Sequence, residues 1–186
     1  MKIKFYDVID NRTTKLCYQL AVWMESATAI RSQVFSASMQ LIRGGDACLF
    51  SVKVKGELIG LGLFSYGDPN TKLRKLVYFS VNPVHRRMGL GIKALTKALA
   101  LEAKAGCIVP CSSHLKDFYS SIGFEYVQES GGDLDGEVIM ALASGNMSAK
   151  QLVEDGYKII KFSPGGLDPE YLKAFEKEYG FELVGH

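Results

Sequence analysis

Polar and apolar residues alternate from Lys2 to Ile9, the two-residue period of a half-buried strand, before the polar turn Asp10-Asn11-Arg12. Leu16, Leu20 and Trp23 then recur at helical spacing, predicting a helix over residues 14–24, and a second helix over 27–42 stops at Gly44-Gly45. Two strand-like runs, 47–55 and 57–66, flank the single glycine Gly56, which reads as a tight hairpin turn. The cluster Gly67-Asp68-Pro69-Asn70 closes that pair. Residues 73–81, rich in Val, Tyr and Phe, form another strand candidate punctuated by Asn82-Pro83.

A glycine-containing loop leads into a helix over 92–105, on which Ile92, Leu95 and Leu99 make an apolar stripe. Residues 107–111 read as a short strand, Ser113 as the cap of a helix running to Ile122, and Gly123 as its stop. Residues 124–129 and 137–142 are the arms of a hairpin. The order predicts an α/β fold with a mixed, mostly antiparallel central sheet flanked by helices, in one domain over 1–143. From Ser144 a C-terminal α/β extension, 144–186, is expected to pack on the same domain. It opens with the capping-box pattern Ser148-Ala-Lys-Gln151, continues with a strand over 157–162, and ends in a helix opened by Asp168-Pro169. This tail is also a candidate dimerisation element.

Composition narrows the partners. With 186 residues, 47% of them hydrophobic, the chain has one sizeable core, and a formal charge of +2 without basic runs argues against nucleic acid or a membrane surface. Apolar stretches fall far short of the roughly 20 residues of a membrane span, and no signal-peptide pattern opens the chain, so the sequence predicts a soluble, cytoplasmic protein. Cys17, Cys48, Cys107 and Cys111 lie in apolar segments without zinc-site spacing and read as buried free thiols, leaving no metal site in view.

The chemistry concentrates between Val81 and Gly91. Asn82-Pro-Val-His-Arg-Arg-Met-Gly-Leu-Gly91 brings two arginines and two glycines to a helix N-terminus, where unpaired N–H groups and the helix dipole favour an anion. Gly89-Leu-Gly91-Ile-Lys-Ala94 formally satisfies a dinucleotide fingerprint, but a proline-containing di-arginine loop separates it from the strand and no acid follows over 109–115. No Gly-Lys-Ser/Thr follows either, which excludes a P-loop.

The loop resembles the signature of the GCN5-related N-acetyltransferases: Arg or Gln, two residues, Gly, one residue, then Gly or Ala, here Arg86-Arg87-Met88-Gly89-Leu90-Gly91. A second family element, Phe118-Tyr119-Ser-Ser-Ile-Gly123-Phe124, follows in order. The resemblance implies acetyl-CoA as co-substrate, with Arg86, Arg87, Met88, Gly89, Leu90 and Gly91 around its pyrophosphate and Val81 on the pantetheine arm. Ser112 stands where many relatives carry an Asn that bonds the pantetheine amide, and Tyr119 would protonate the departing thiolate. It implies transfer of acetyl to a primary amine of a small molecule or protein. Residues 75–81 hold no carboxylate to act as base, so His114, Glu57 and Tyr78 are the alternative side chains, beside an ordered water. That absence also motivates a second reading, a non-catalytic CoA-binding module. His85 reads as an exposed loop residue. Residues 14–42 and the acidic, glycine-rich stretch from Glu129 to Glu137 would border the acceptor, an acidic mouth favouring a cationic amine.

Overall fold

The computed structural model describes residues 1–24, 28–66, 70, 72–130 and 136–159. The elements run β1 (Lys2–Tyr6), α1 (Asn11–Met24), α2 (Thr28–Arg43), β2 (Ala47–Val54), β3 (Glu57–Ser65), β4 (Leu73–Val81), α3 (Leu90–Glu102), β5 (Gly106–Ser112), α4 (Lys116–Ser120), β6 (Glu125–Glu129), β7 (Glu137–Ala143) and α5 (Ala149–Ile159). Short 3-10 turns over Pro83–His85 and Ser113–Leu115 precede α3 and α4. The strands form one seven-stranded sheet in the order β1-β2-β3-β4-β5-β7-β6, antiparallel except where β4 meets β5. The expected α/β architecture and element order are therefore present.

Several boundaries move for local reasons. The turn assigned to residues 10–12 is the start of α1: Asp10 Oδ1 accepts the Thr13 N–H at 2.6 Å, and the Asp10 carbonyl accepts the Thr14 N–H at 2.9 Å. Asp10 is thus an N-cap. The β2–β3 turn uses two left-handed residues, Lys55 (φ 52) and Gly56 (φ 92), as a primed hairpin turn requires. Ser113 lies inside a 3-10 turn and does not cap α4. Ser148 does cap α5, its Oγ accepting the Gln151 N–H at 3.2 Å. The strand expected over 157–162 is overturned at its start, since Tyr157 to Ile159 belong to α5, and its remainder lies outside the described residues, as do the helix at Asp168 and most of the 67–70 cluster.

Two helical layers cover the sheet. On one face, α1 and α2 bury Leu20, Trp23, Phe35 and Ile42 against Leu49, Leu61 and Leu63. On that face α5 covers β5 and β7, with Leu152 and Val153 on Ile108, Ile139 and Ala141. On the opposite face, α3 and α4 pack Leu95, Leu99 and Tyr119 on Phe50, Phe64, Leu76 and Met140. Among the described residues, no helix is long and apolar enough to cross a membrane.

The β4 strand sets up the site. Leu63 pairs with Tyr78 but the next β3 residue, Phe64, pairs with Leu76, so Val77 is an extra residue in a β-bulge. The bulge resets the alternation of sides. Leu76 and Phe79 both reach the α3 face, while Val77 and Tyr78 both pack toward α1 and α2. Pairing of β4 with β5 covers only Leu73↔Gly106, Arg74↔Cys107 and Lys75↔Ile108. Beyond Lys75 the two strands part, leaving a cleft in the middle of the sheet. At its closed end, Glu102 at the end of α3 holds Arg74 and Lys72, each at 3.3 Å.

Candidate active site

The open end of the cleft forms a cavity of about 480 Å³, a size typical of small-molecule sites. Its walls come from four directions: Phe79, Ser80 and Val81 of β4; His85, Arg86, Arg87 and Gly89 of the loop with Gly91 and Ile92 of α3; Leu115, Phe118 and Tyr119 around α4; and Trp23 and Met24 at the end of α1. Ile92 lines this cavity and is 37% exposed, so the expected apolar stripe of α3 reduces to Leu95 and Leu99 with the buried alanines Ala94 and Ala98.

The backbone of β4 offers hydrogen-bonding groups to the cleft. The Asn82 N–H donates to the Ile59 carbonyl of β3 at 2.8 Å. Strand geometry alternates, so the N–H and C=O of Val81 face the other way, into the opening. Arg86 Nε occupies that carbonyl at 3.1 Å, which leaves the Val81 N–H as the exposed donor.

The loop then folds into a concave run of donors. Asn82 Oδ1 accepts the Val84 N–H at 3.2 Å and the Asn82 carbonyl accepts the His85 N–H at 2.8 Å, a side-chain-supported turn. Arg87 (φ 64) and Gly89 (φ 70) are left-handed, and such turns aim successive N–H groups at one point. No partner among the described residues meets the amides of residues 87–92, which end on the first turn of α3 and its positive dipole end. Gly91 packs closely on the strand: a Cβ there would lie 3.0 Å from Val81 Cγ2. The cradle and the strand end are therefore in direct packing.

Side chains of the motif divide. Arg86 and Arg87 are both exposed at the cavity, but Arg86 donates through Nη2 to the Trp23 carbonyl and to Ser80 Oγ at 3.4 Å. Met88 is 64% exposed, and neither it nor Leu90 lines the cavity. Ser112, at the end of β5, is exposed outside the cavity lining and its Oγ bonds His114 Nδ1 at 2.7 Å. His85 is not the exposed loop residue expected: its side chain is 18% exposed, lines the cavity and pairs through Nε2 with Glu57 Oε1 at 2.7 Å.

Tyr119 is 6% exposed and held edge-on between Phe118 (5.1 Å) and Phe124 (5.5 Å). Phe118 in turn stacks on Phe79 of β4 at 6.5 Å, which locks α4 across the cleft. Burial pushes the Tyr119 phenol well above its usual value, the thiolates of Cys111 and Cys107 adding to this only where they ionise, so it stays protonated. Of the candidate bases, His114 is engaged with Ser112, Glu57 with His85, and Tyr78 packs toward α1 and α2 with its phenol raised by burial. On β4 itself burial lowers the Lys75 amine to about 8, partly opposed by the Glu137 carboxylate. Lys75 pairs with Ile108 before the strands part and does not line the cavity. The sequence reading missed Trp23, Phe79, Ser80 and Phe118 as cavity residues, because their approach depends on the bulge and on which helix end meets the sheet.

A parted parallel strand pair ending on an unpaired amide cradle defines a site for a long ligand with an anionic group at one end. The family model "Acetyltransferase (GNAT) family" matches residues 14–124, more than half of the chain, and the protein belongs to this family. Comparison with curated protein sequences returns no match. Solved structures share the fold. A Corynebacterium glutamicum protein described as "histone acetyltransferase HPA2 and related acetyltransferase" superposes with a TM-score of 0.58 at 14% identity, covering 80% of this chain and 99% of that one. The PaiA N-acetyltransferase from Thermoplasma acidophilum, in complex with coenzyme A, gives 0.56 at 16% identity over 77% and 99%. Tetrahymena GCN5 gives 0.56 at 14% identity over 80% and 99%.

Proposed function

We propose that the protein is an N-acetyltransferase that moves the acetyl group of acetyl-CoA to a primary amine of a small molecule or protein. One observation carries this reading: the β4–β5 cleft opens onto the cradle of unpaired amides at residues 87–92, so an extended thioester and its pyrophosphate have complementary places in one continuous site. The CoA complex of the similarly folded PaiA N-acetyltransferase supports it. In this reading the cradle, Arg87 and the α3 dipole take the pyrophosphate, the dipole adding about 0.3–1 kcal/mol. The Val81 N–H bonds the pantetheine arm or the acetyl oxygen, where negative charge develops. Four free, buried thiols suit a reducing, cytoplasmic setting.

The amine nitrogen attacks the thioester carbonyl, the new C–N bond forms, and the C–S bond breaks to release CoA thiolate. From reference values, proton transfer from a phenol to that thiolate is uphill by about 2 kcal/mol, and burial of Tyr119 adds to this. Tyr119 therefore acts as a hydrogen-bond donor that stabilises the sulfur charge and keeps its own proton, and the thiolate takes up, by way of solvent, the proton that the attacking nitrogen loses on becoming an amide. The acceptor must lose a proton, at about 4–5 kcal/mol for a lysine-like amine at pH 7. Since β4 carries no carboxylate, that cost distinguishes this site from one with a built-in carboxylate base.

A thiol-release assay over an amine panel tests the reading. Tyr119→Phe is expected to lower turnover about 100-fold or more while CoA affinity stays within about threefold. Unchanged turnover removes Tyr119 from the mechanism. Tight CoA binding without turnover on any amine would favour the non-catalytic module.

A further inference from the structure

Arg86 opens the signature loop, and its guanidinium is engaged with protein acceptors at the cavity wall. Nε donates to the Val81 carbonyl at 3.1 Å, and Nη2 donates to the Trp23 carbonyl and, at 3.4 Å, to Ser80 Oγ. Ser80 Oγ itself donates to the same Trp23 carbonyl at 3.1 Å. Trp23 lies in the last turn of α1, at the negative end of its dipole. Two donors, one of them cationic, thus converge on one helix-end carbonyl. The three elements joined at this point are the end of β4, the loop and the end of α1, and each supplies a wall of the cavity.

We infer that Arg86 is a positioning residue that couples the cofactor loop to the C-terminal end of α1, so that a ligand seated on the amides of residues 87–92 also orders the wall at Trp23 and Met24. The inference rests on the proposed CoA site. Both arginines line the cavity, but they have separate tasks: Arg87 meets the ligand, and Arg86, through its bonds to Val81, Ser80 and Trp23, ties the frame. Arg86 is extended (φ −65, ψ 155) immediately before left-handed Arg87, so fixing the cradle fixes the point from which the guanidinium springs. A planar fork suits this position because one side chain must meet three acceptors in different directions, which a lysine ammonium on a flexible stem does not do. Coupling of this kind is reciprocal, so an acceptor that tightens the end of α1 would tighten the loop on its cofactor.

Hydrogen exchange at residues 20–24, read with and without saturating CoA for each variant, tests the coupling independently of affinity. In the wild type CoA is expected to slow exchange there about tenfold or more, and Arg86→Gln to abolish the slowing while exchange in the middle of α1 is unchanged. Arg86→Lys is expected not to restore it. Arg87→Gln is expected to keep the slowing but to raise the CoA dissociation constant about tenfold. Retained slowing in Arg86→Gln, or no response of residues 20–24 in the wild type when CoA is bound, overturns the inference. If Arg86→Gln fails to fold, Ser80→Ala removes the second donor to Trp23 and should reduce the slowing; an unchanged response there is equally contrary. A wild type that does not bind CoA at all removes the underlying cofactor reading, a distinct result visible in the titration itself.

Discussion

Adding a methyl group at Gly91 separates the packing of the cradle from its chemistry. The new Cβ would stand 3.0 Å from Val81 Cγ2 and 3.7 Å from the Phe118 ring. Carbon pairs are comfortable at about 3.5–4.0 Å, so Val81 would have to give by a few tenths of an ångström, whereas the phenylalanine contact is ordinary. Val81 cannot yield easily: the next residue is hydrogen-bonded to Ile59, its carbonyl is held by Arg86, and a β-branched side chain has few alternative rotamers. Overpacking of this kind costs about 1–3 kcal/mol, while alanine in place of glycine in a helix returns about 1 kcal/mol. Gly91→Ala should therefore lose about 0–2 kcal/mol, and its CoA affinity should fall because α3 is displaced relative to β4. Val81→Ala removes the clashing methyl, so the double variant should be more stable than the sum of the singles by about 1 kcal/mol or more. Denaturant titration followed by Trp23, the protein's single tryptophan and a cavity wall, reads the cycle directly. A coupling below about 0.3 kcal/mol would refute the contact as the reason for glycine.

Alkaline pH should destabilise the fold through its thiols. Burial pushes Cys17, Cys48 and Cys107 up to about 12 and Cys111 to about 11, from the ordinary thiol value of about 9. Folded values above unfolded ones give a contribution fully present below about 9 that is lost as pH rises toward 11–12, so urea midpoints should fall over that window and native thiolate absorbance should be absent at pH 9.5. At Gly156 in α5, a Cβ would meet Ile108 Cδ1 at 2.2 Å, so Gly156→Val should destabilise by about 1–3 kcal/mol, and an unchanged midpoint would show that α5 does not press on the sheet.

Most of the fold was legible because its signals are local. β4 occupies the expected residues 73–81, since a run of apolar and aromatic residues bounded by polar and proline punctuation admits little else. The start of α1 was misread because Asp10 resembles a turn residue until its bond to Thr13 is seen. The bulge at Val77 left no trace, since either alternation of Leu76 to Val81 places an apolar residue on each face. The motif residues of the candidate site were visible as Arg86 to Gly91 and Tyr119, but the bonding of Arg86 to Trp23 depends on a helix end 63 residues away in sequence. The pairing of His85 with Glu57, 28 residues apart, was likewise a matter of tertiary placement.

The central claim, that this cleft and cradle hold acetyl-CoA, is tested most directly by thermal unfolding with and without the ligand, anchored by a calorimetric titration. One-to-one binding is expected and, at about 100 times the dissociation constant, stabilisation by about 2.7 kcal/mol, or roughly 5–11 °C for a chain of this size, with no effect of NAD. A midpoint unmoved by acetyl-CoA at millimolar concentration, with no heat of binding, would contradict it.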